Sequence, residues 1–183
     1  MKMKILTVAT AWGSKHGGLN VFNYRMCRGL VALGHNVTCY VKEFSTDDLT
    51  DASKQGVELK AIGKPSGEKW SPDDVGHIKY AEVSDIDVLV IHDILCKAFL
   101  DHFPLGSTKP IVSAFIHTLY SDTDYFGDLS DDKRRERTTT QIDLIEKAHV
   151  VFTSGSWIAE QIRNANPTLS GKSRLVVAQR SSK

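Results

Sequence analysis

Apolar residues along this chain gather in short runs that alternate with segments of helical spacing. Lys4 to Ala9 (KILTVA) is a compact run that enters a polar, glycine-containing stretch, Thr10 to Gly18, and reads as a buried strand leading into a loop. From Asn20 to Leu33 the residues Val21, Tyr24, Cys27, Leu30 and Val31 recur at spacings of three and four, with Gly34 as the stop, which predicts a helix. Asn36 to Val41 (NVTCYV) is a second strand, completing a strand–helix–strand unit. The alternation continues with strands over Val57 to Ile62, Ile86 to Ile91, Ile111 to Ile116 and His149 to Thr153, and a last one over Arg174 to Ala178. Helices are expected at Ser71-Pro72-Asp73-Asp74, which has the Ser cap, Pro and acids of a helix start, over Asp131 to Ala148, and from Gly155 or Ser156 to Ala165. Glu43 to Gln55 and Lys64 to Trp70 read as surface connections, and Ser181 to Lys183 as a frayed tail.

Apolar strands without polar alternation belong to a parallel sheet covered on both faces. The expected fold is therefore α/β: a Rossmann-like, doubly wound, mostly parallel sheet with helices on both faces. At 183 residues and 41% hydrophobic composition, one such domain spanning residues 1–183 is expected. Ligands of that architecture sit beyond the C-terminal ends of the strands.

Charge and cysteine usage narrow the choice of partners. The 23 lysines and arginines nearly balance 22 aspartates and glutamates, so the whole-molecule field gives no reason to expect nucleic acid. Cys27, Cys39 and Cys96 lack CxxC spacing and read as buried thiols of a reducing compartment. No run approaches a signal-peptide core or a membrane-spanning helix, so a cytoplasmic chain that does not span the membrane is expected. No H-E-x-x-H, Cys/His constellation or G-x-S-x-G elbow occurs, and neither a metal nor another cofactor is expected.

The loop after the first strand holds the most distinctive local chemistry. In Thr10-Ala11-Trp12-Gly13-Ser14-Lys15-His16-Gly17-Gly18 the glycines allow close backbone approach, and the following helix start offers amide donors and a positive dipole to an anion. The pattern is neither a Walker A motif nor a G-x-G-x-x-G fingerprint, and a purely structural glycine turn stands beside the phosphate-binding reading. His16, Gly17, Gly18 and Asn20 are the candidate phosphate or substrate contacts. His92-Asp93 ends a strand, where His92 is either a cleft contact or half of a structural pair. Lys133 to Arg137 is a solvated helix face or an anion-binding patch.

The stretch HGGLNVFNYRMCRGLVALGHNVTCYV, His16 to Val41, resembles the opening of family 4 GT-B glycosyltransferases: a Gly-Gly, an apolar-spaced helix, then Gly-His-x-Val-Thr into the second strand. Ile111 to Thr118 resembles that family's strand ending in histidine, and the resemblance implies that His117 contacts hydroxyls of the transferred sugar. Glu146 to Ser154 resembles a third family element, with His149 in place of the usual Asp and Ser154 at the strand end as a cleft or capping residue.

In that family the nucleotide-sugar is held mainly by a second Rossmann domain, whose signature includes two glutamates eight positions apart, and this sequence has no such pair. The resemblance thus implies the acceptor-side half of a retaining, metal-independent enzyme. Its partners would be a nucleotide-sugar, an acceptor and a donor-binding domain or subunit. A non-catalytic module binding a nucleotide-sugar, a phosphorylated metabolite or a protein is the alternative.

Overall fold

A computed structural model of the chain describes residues 1–13, 15–62, 69–80, 83–103, 110–122, 126–165 and 174–177. Ser14, most of the connection at 64–70, Ala178 and the tail at 181–183 lie outside the described residues. The chain divides into two compact units, Met1–Ile111 and Val112–Lys183.

The first unit contains β1 (Lys4–Val8), α1 (Gly17–Ala32), β2 (Asn36–Val41), α2 (Thr46–Lys54), β3 (Val57–Ala61), α3 (Pro72–Gly76), β4 (Val88–His92) and α4 (Lys97–His102). Its strands lie in the order β3-β2-β1-β4, all pairs parallel, with Ile5 opposite both Val37 and Val88. Reversal of strand order beside β1 marks a Rossmann-like topological switch point. The second unit carries β5 (Ile111–Ile116), α5 (Asp131–Lys147), β6 (Val150–Thr153), α6 (Ser156–Ala165) and β7 (Arg174–Val177), with β5-β6-β7 again parallel. The α/β Rossmann-like class predicted from the sequence is the fold observed.

Alternation along β2 shows how both faces of its sheet are filled. Val37, Cys39 and Val41 join Trp12, Cys27, Ala52, Val57 and Leu59 in one buried cluster, against which Leu19, Tyr24 and Leu30 of α1 pack. Tyr40 points the other way, to Phe99 at 5.7 Å, and Phe99 in turn meets Trp70 at 5.9 Å and Phe103 at 5.0 Å. Each such buried aromatic contributes roughly 2–3 kcal/mol through removal of apolar surface from water. All three cysteines are free and buried, as expected, and burial raises the Cys96 thiol above its ordinary range.

Strand β4 runs Val88–His92 rather than Ile86 to Ile91, and three helices differ from the sequence expectation. The stretch Glu43 to Gln55, expected as a surface connection, contains α2. Only Ala52 of that nine-residue helix is buried, so no apolar stripe announces it; what starts it is the Ser45–Asp48 capping box. The short α4, which the spacing does not predict, is anchored by Phe99 and Leu100. Helix α1 begins at Gly17 rather than near Asn20, so both glycines belong to its first turn. At its other end, bonds from the amides of Gly34 to the Val31 carbonyl (2.8 Å) and of His35 to the Leu30 carbonyl (3.1 Å) form a Schellman stop, with Gly34 at φ +88°.

The parallel register is fixed at the N-terminal edges of the strands by side chains that accept the first amides. Met3 N–H donates to Nδ1 of His35 (3.3 Å), Lys4 N–H to Oδ2 of Asp87 (2.9 Å), and Val112 N–H to Nδ1 of His149 (3.0 Å). In each case the acceptor residue immediately precedes the neighbouring strand. His149 thus performs, with a bare imidazole nitrogen, the acceptor chemistry a carboxylate offers at that position.

Candidate functional site

Within the first unit, the β1–α1 loop and the β2–α2 connection form the walls of a cleft of about 1010 Å³. Lys15, His16, Gly17, Gly18 and Asn20 line one wall, and Lys42, Glu43, Phe44, Asp47 and Asp48 line the other. Gly17 is held at φ +59°, a left-handed conformation that glycine adopts without the steric cost of a Cβ. A Cβ added at either Gly17 or Gly18 would meet no atom within 4 Å, so these two positions are bordered by open space.

The start of α1 is chemically unlike those of α2, α3 and α5. Helices α2, α3 and α5 begin with Ser45, Ser71 and Ser130, whose side chains accept a first-turn amide, and each has two aspartates in its first turn. Helix α1 begins at His16 with no side-chain cap and no acidic residue in its first turn. Its N-terminal amides and dipole therefore face the cleft without a competing carboxylate from the helix itself.

Two side chains brace the loop. Asn20 turns its amide into it: Oδ1 accepts from the amides of Thr10 (3.2 Å) and Ala11 (3.1 Å), and Nδ2 donates to Oγ1 of Thr10 (3.0 Å). Trp12, 1% exposed, donates from its indole to Oδ2 of Asp51 in α2 (3.0 Å) and meets Tyr24 edge-on at 5.1 Å. The loop is anchored from both flanks before any ligand arrives.

The floor carries an ion pair that sequence reasoning did not anticipate. Lys42 donates from Nζ to Oδ2 of Asp74 at 3.0 Å and to the Lys69 carbonyl at 2.7 Å, and both charged side chains are 3% exposed. The partners lie 32 residues apart, so no local spacing reveals them. Trp70 is equally buried, with its indole donating to the Ala9 carbonyl at 2.9 Å just beyond β1. His92 is fully buried and packs edge-on to Phe22 at 5.9 Å; it is not among the cleft-lining residues. The next residue, Asp93, is the one described non-glycine residue with positive φ (+54°), and its Oδ1 accepts the Ile94 amide at 2.8 Å.

In the second unit, His117 follows β5 directly. Its ring lies 4.6 Å from that of Phe115, and Oγ of Ser154 donates to its backbone carbonyl at 3.0 Å. Burial pushes the imidazole down to about 4, so it is neutral at neutral pH and offers one donor and one acceptor nitrogen. His16, Gly17, Gly18 and Asn20 thus line one cleft in the first unit, and His117 and Ser154 meet in the second. The basic stretch on α5 is partly engaged: Arg134 pairs with Asp131, and Arg137 lies over the Tyr120 ring at 5.5 Å. Among the described residues, no three His, Cys, Asp or Glu side chains converge as a metal site, and no helix is long and apolar enough to cross a membrane.

Parallel strands in Rossmann order, with a glycine-led helix opening on a cleft, define a Rossmann-like domain, and solved structures of glycosyltransferases share this fold. The chain is similar to Phytolacca americana UGT2 in complex with UDP-2fluoro-glucose and pterostilbene (TM-score 0.62, 8% identity, 99% of this chain and 53% of that one). It is similar also to Medicago truncatula UGT71G1 complexed with UDP-glucose (TM-score 0.58, 10% identity, 97% and 51%) and to a glycosyltransferase from Rickettsia africae ESF-5 (0.56, 10%, 100% and 44%). The chain spans about half the length of these proteins. No curated protein sequence matches it. Residues 6–179 match the family described as family 4 glycosyltransferase in conflict systems, and the chain belongs to that family. The resemblance noted in His16 to Val41 and in Ile111 to Thr118 is a family relationship.

Proposed function

We propose that this chain is the acceptor-side domain of a retaining glycosyltransferase, contributing phosphate and acceptor contacts to the transfer of a sugar from a nucleotide-sugar. The observation that carries the reading is the start of α1: uncapped, free of acids, led by Gly17 and Gly18, and opening on the cleft. Two structures of the same fold, from Phytolacca and Medicago, hold UDP-sugars, which makes a nucleotide diphosphate the natural anion to consider.

In this reading the acceptor oxygen bonds to the anomeric carbon as the bond from that carbon to the diphosphate oxygen breaks, negative charge grows on the departing oxygen, and the departing diphosphate takes up the acceptor's proton. Amides fixed at Gly17 and Gly18 stabilise that charge without reorganising, and Asn20 and Trp12 keep the loop in the required shape. His117, neutral because it is buried, orients sugar hydroxyls through its two ring nitrogens. No metal is needed for these steps. A donor-binding domain, in the same polypeptide or in a partner, supplies the remaining contacts to the nucleotide.

Calorimetry of the chain with UDP- and GDP-sugars, followed by turnover assays with a donor-binding domain added, tests the reading. Turnover on addition of that domain supports it. Binding without turnover in either format instead favours a non-catalytic nucleotide-sugar module, and absence of binding in both formats overturns the ligand assignment altogether.

A further inference from the structure

A buried glutamine stands out on α5. Its inward stripe consists of Gln141, Leu144 and Ile145, followed by Ala148 just past the helix, and Gln141 is only 3% exposed. A leucine would continue that stripe at no desolvation cost, whereas a buried amide is destabilising unless its polar atoms are hydrogen-bonded. The Gln141 amide is engaged with the segment that follows His117: Nε2 donates to the Thr118 carbonyl at 2.8 Å, and Oε1 accepts from the Tyr120 amide at 3.5 Å. One turn earlier, Arg137 covers the ring of Tyr120, which stacks on Phe126 at 4.7 Å.

On the other flank, Ser154 follows β6, the strand paired with β5, and its hydroxyl donates to the His117 carbonyl at 3.0 Å. Beyond Ile116 the β5–β6 ladder has ended, so side-chain donors take over the task of fixing the chain direction. Two consecutive carbonyls, those of His117 and Thr118, are gripped from different elements.

We infer that Gln141 and Ser154 are positioning residues for His117, clamping the peptides of residues 117 and 118 so that the imidazole leaves the end of β5 in one fixed direction, against Phe115. This rests on the reading of His117 as the sugar-contacting group, but it is tested without any ligand. Ser154, expected from the sequence to line the cleft or cap a helix, then acts through His117 rather than by touching substrate.

The consequence is a preorganised imidazole. A ring held against Phe115 by its own backbone stays desolvated, whereas a released peptide lets it swing into water and titrate normally. The readout is the His117 imidazole titration followed by NMR on the full chain in Gln141→Leu, Gln141→Glu and Ser154→Ala. Gln141→Glu keeps an acceptor for Tyr120 but loses the donor to Thr118. Ser154→Ala removes an exposed hydroxyl and leaves the buried core intact even where a Gln141 variant fails to fold. A rise of the His117 midpoint by about one unit or more in Ser154→Ala and in a folded Gln141 variant is expected. A midpoint unchanged in Ser154→Ala overturns the clamp, because a merely structural hydrogen bond would alter melting and leave the imidazole titration alone. Nucleotide-sugar binding is measured separately, so a failed clamp and a failed functional reading give different results.

Discussion

The two glycines at the start of α1 make opposite predictions when each is replaced by alanine. Gly18 has no positive φ, and a Cβ there meets nothing within 4 Å. Alanine in its place lowers the conformational freedom of the unfolded chain and suits a helix, a gain of about 0.5–1 kcal/mol. Gly17 is held at φ +59°, where a Cβ costs about 1–2 kcal/mol however much space surrounds it. Melting should therefore rise by roughly 1–4 °C in Gly18→Ala and fall by roughly 2–8 °C in Gly17→Ala, at about 2–4 °C per kcal/mol for a chain of this size. Binding runs differently. If the α1 amides cradle a phosphate, the methyl group of Gly18→Ala occupies the space through which that phosphate approaches, and UDP affinity should drop at least tenfold, about 1.4 kcal/mol. Differential scanning calorimetry and isothermal titration with UDP, run on the same samples, separate the two effects. A Gly18→Ala protein that is more stable and binds UDP as well as the original would refute the cradle, because loss of fold could not then be blamed.

Other consequences follow from single contacts. Gly56 sits at φ +74° with a prospective Cβ 3.0 Å from Cγ1 of Val31, so Gly56→Ala should cost about 1–3 kcal/mol in urea denaturation; a neutral result contradicts the close approach of the turn between α2 and β3 to α1. Lys42→Met leaves the Asp74 carboxylate buried without its ammonium and should cost about 3 kcal/mol or more, most of which is recovered in the double variant Lys42→Met/Asp74→Asn; equal stability of the two variants dismisses the buried pair. His149→Leu should cost about 1–3 kcal/mol by orphaning the Val112 amide, whereas His149→Asp keeps an acceptor and stays within about 1 kcal/mol of the original. Burial holds His117 neutral down to about 4, while an unfolded chain takes up a proton there below about 6.5. Stability should therefore fall as pH drops through that window, by about 1–3 kcal/mol allowing for partial exposure, and His117→Gln should remove that part of the slope in pH-dependent urea titrations.

The sequence made the fold legible because its strands are buried on both faces and read as continuous apolar runs. Lys4–Val8, Asn36–Val41 and Ile111–Ile116 fall within a residue of where the pattern puts them. It hid α2 and α4 for a physical reason. A short helix with one or two buried apolar residues has no stripe to reveal, and for α2 the capping box at Ser45 was the local sign. The site was legible in the same graded way. Gly17 could be found because its left-handed backbone (φ +59°) favours glycine itself, and that demand survives as a visible letter; Gly18 stands beside it in the same pair. What Asn20, Ser154 and His92 do could not be read, since each is decided by partners chosen through folding: the Thr10–Ala11 loop, the His117 carbonyl and the Phe22 ring.

That difference bears on how each group of proposed contacts is built. Of the groups proposed to touch ligand, the α1 amides need no side-chain chemistry of their own, and the His117 ring contributes only its two nitrogens. The side chains that define their geometry lie one layer back: Asn20 and Trp12 behind the glycine loop, Gln141 and Ser154 behind the histidine. A cradle of amides is effective only if its shape is settled before the anion arrives, because any ordering done on binding is subtracted from the affinity. Substitutions at the supporting residues should accordingly weaken binding through shape rather than through lost contacts. Asn20→Ala, which frees the amides of Thr10 and Ala11 from their shared acceptor, is the sharpest case. It should lower UDP affinity while leaving the charge of the cleft unchanged, so the salt dependence of binding should stay as it was. A changed salt dependence would mean that Asn20 acts through the electrostatics of the ligand and not through the loop.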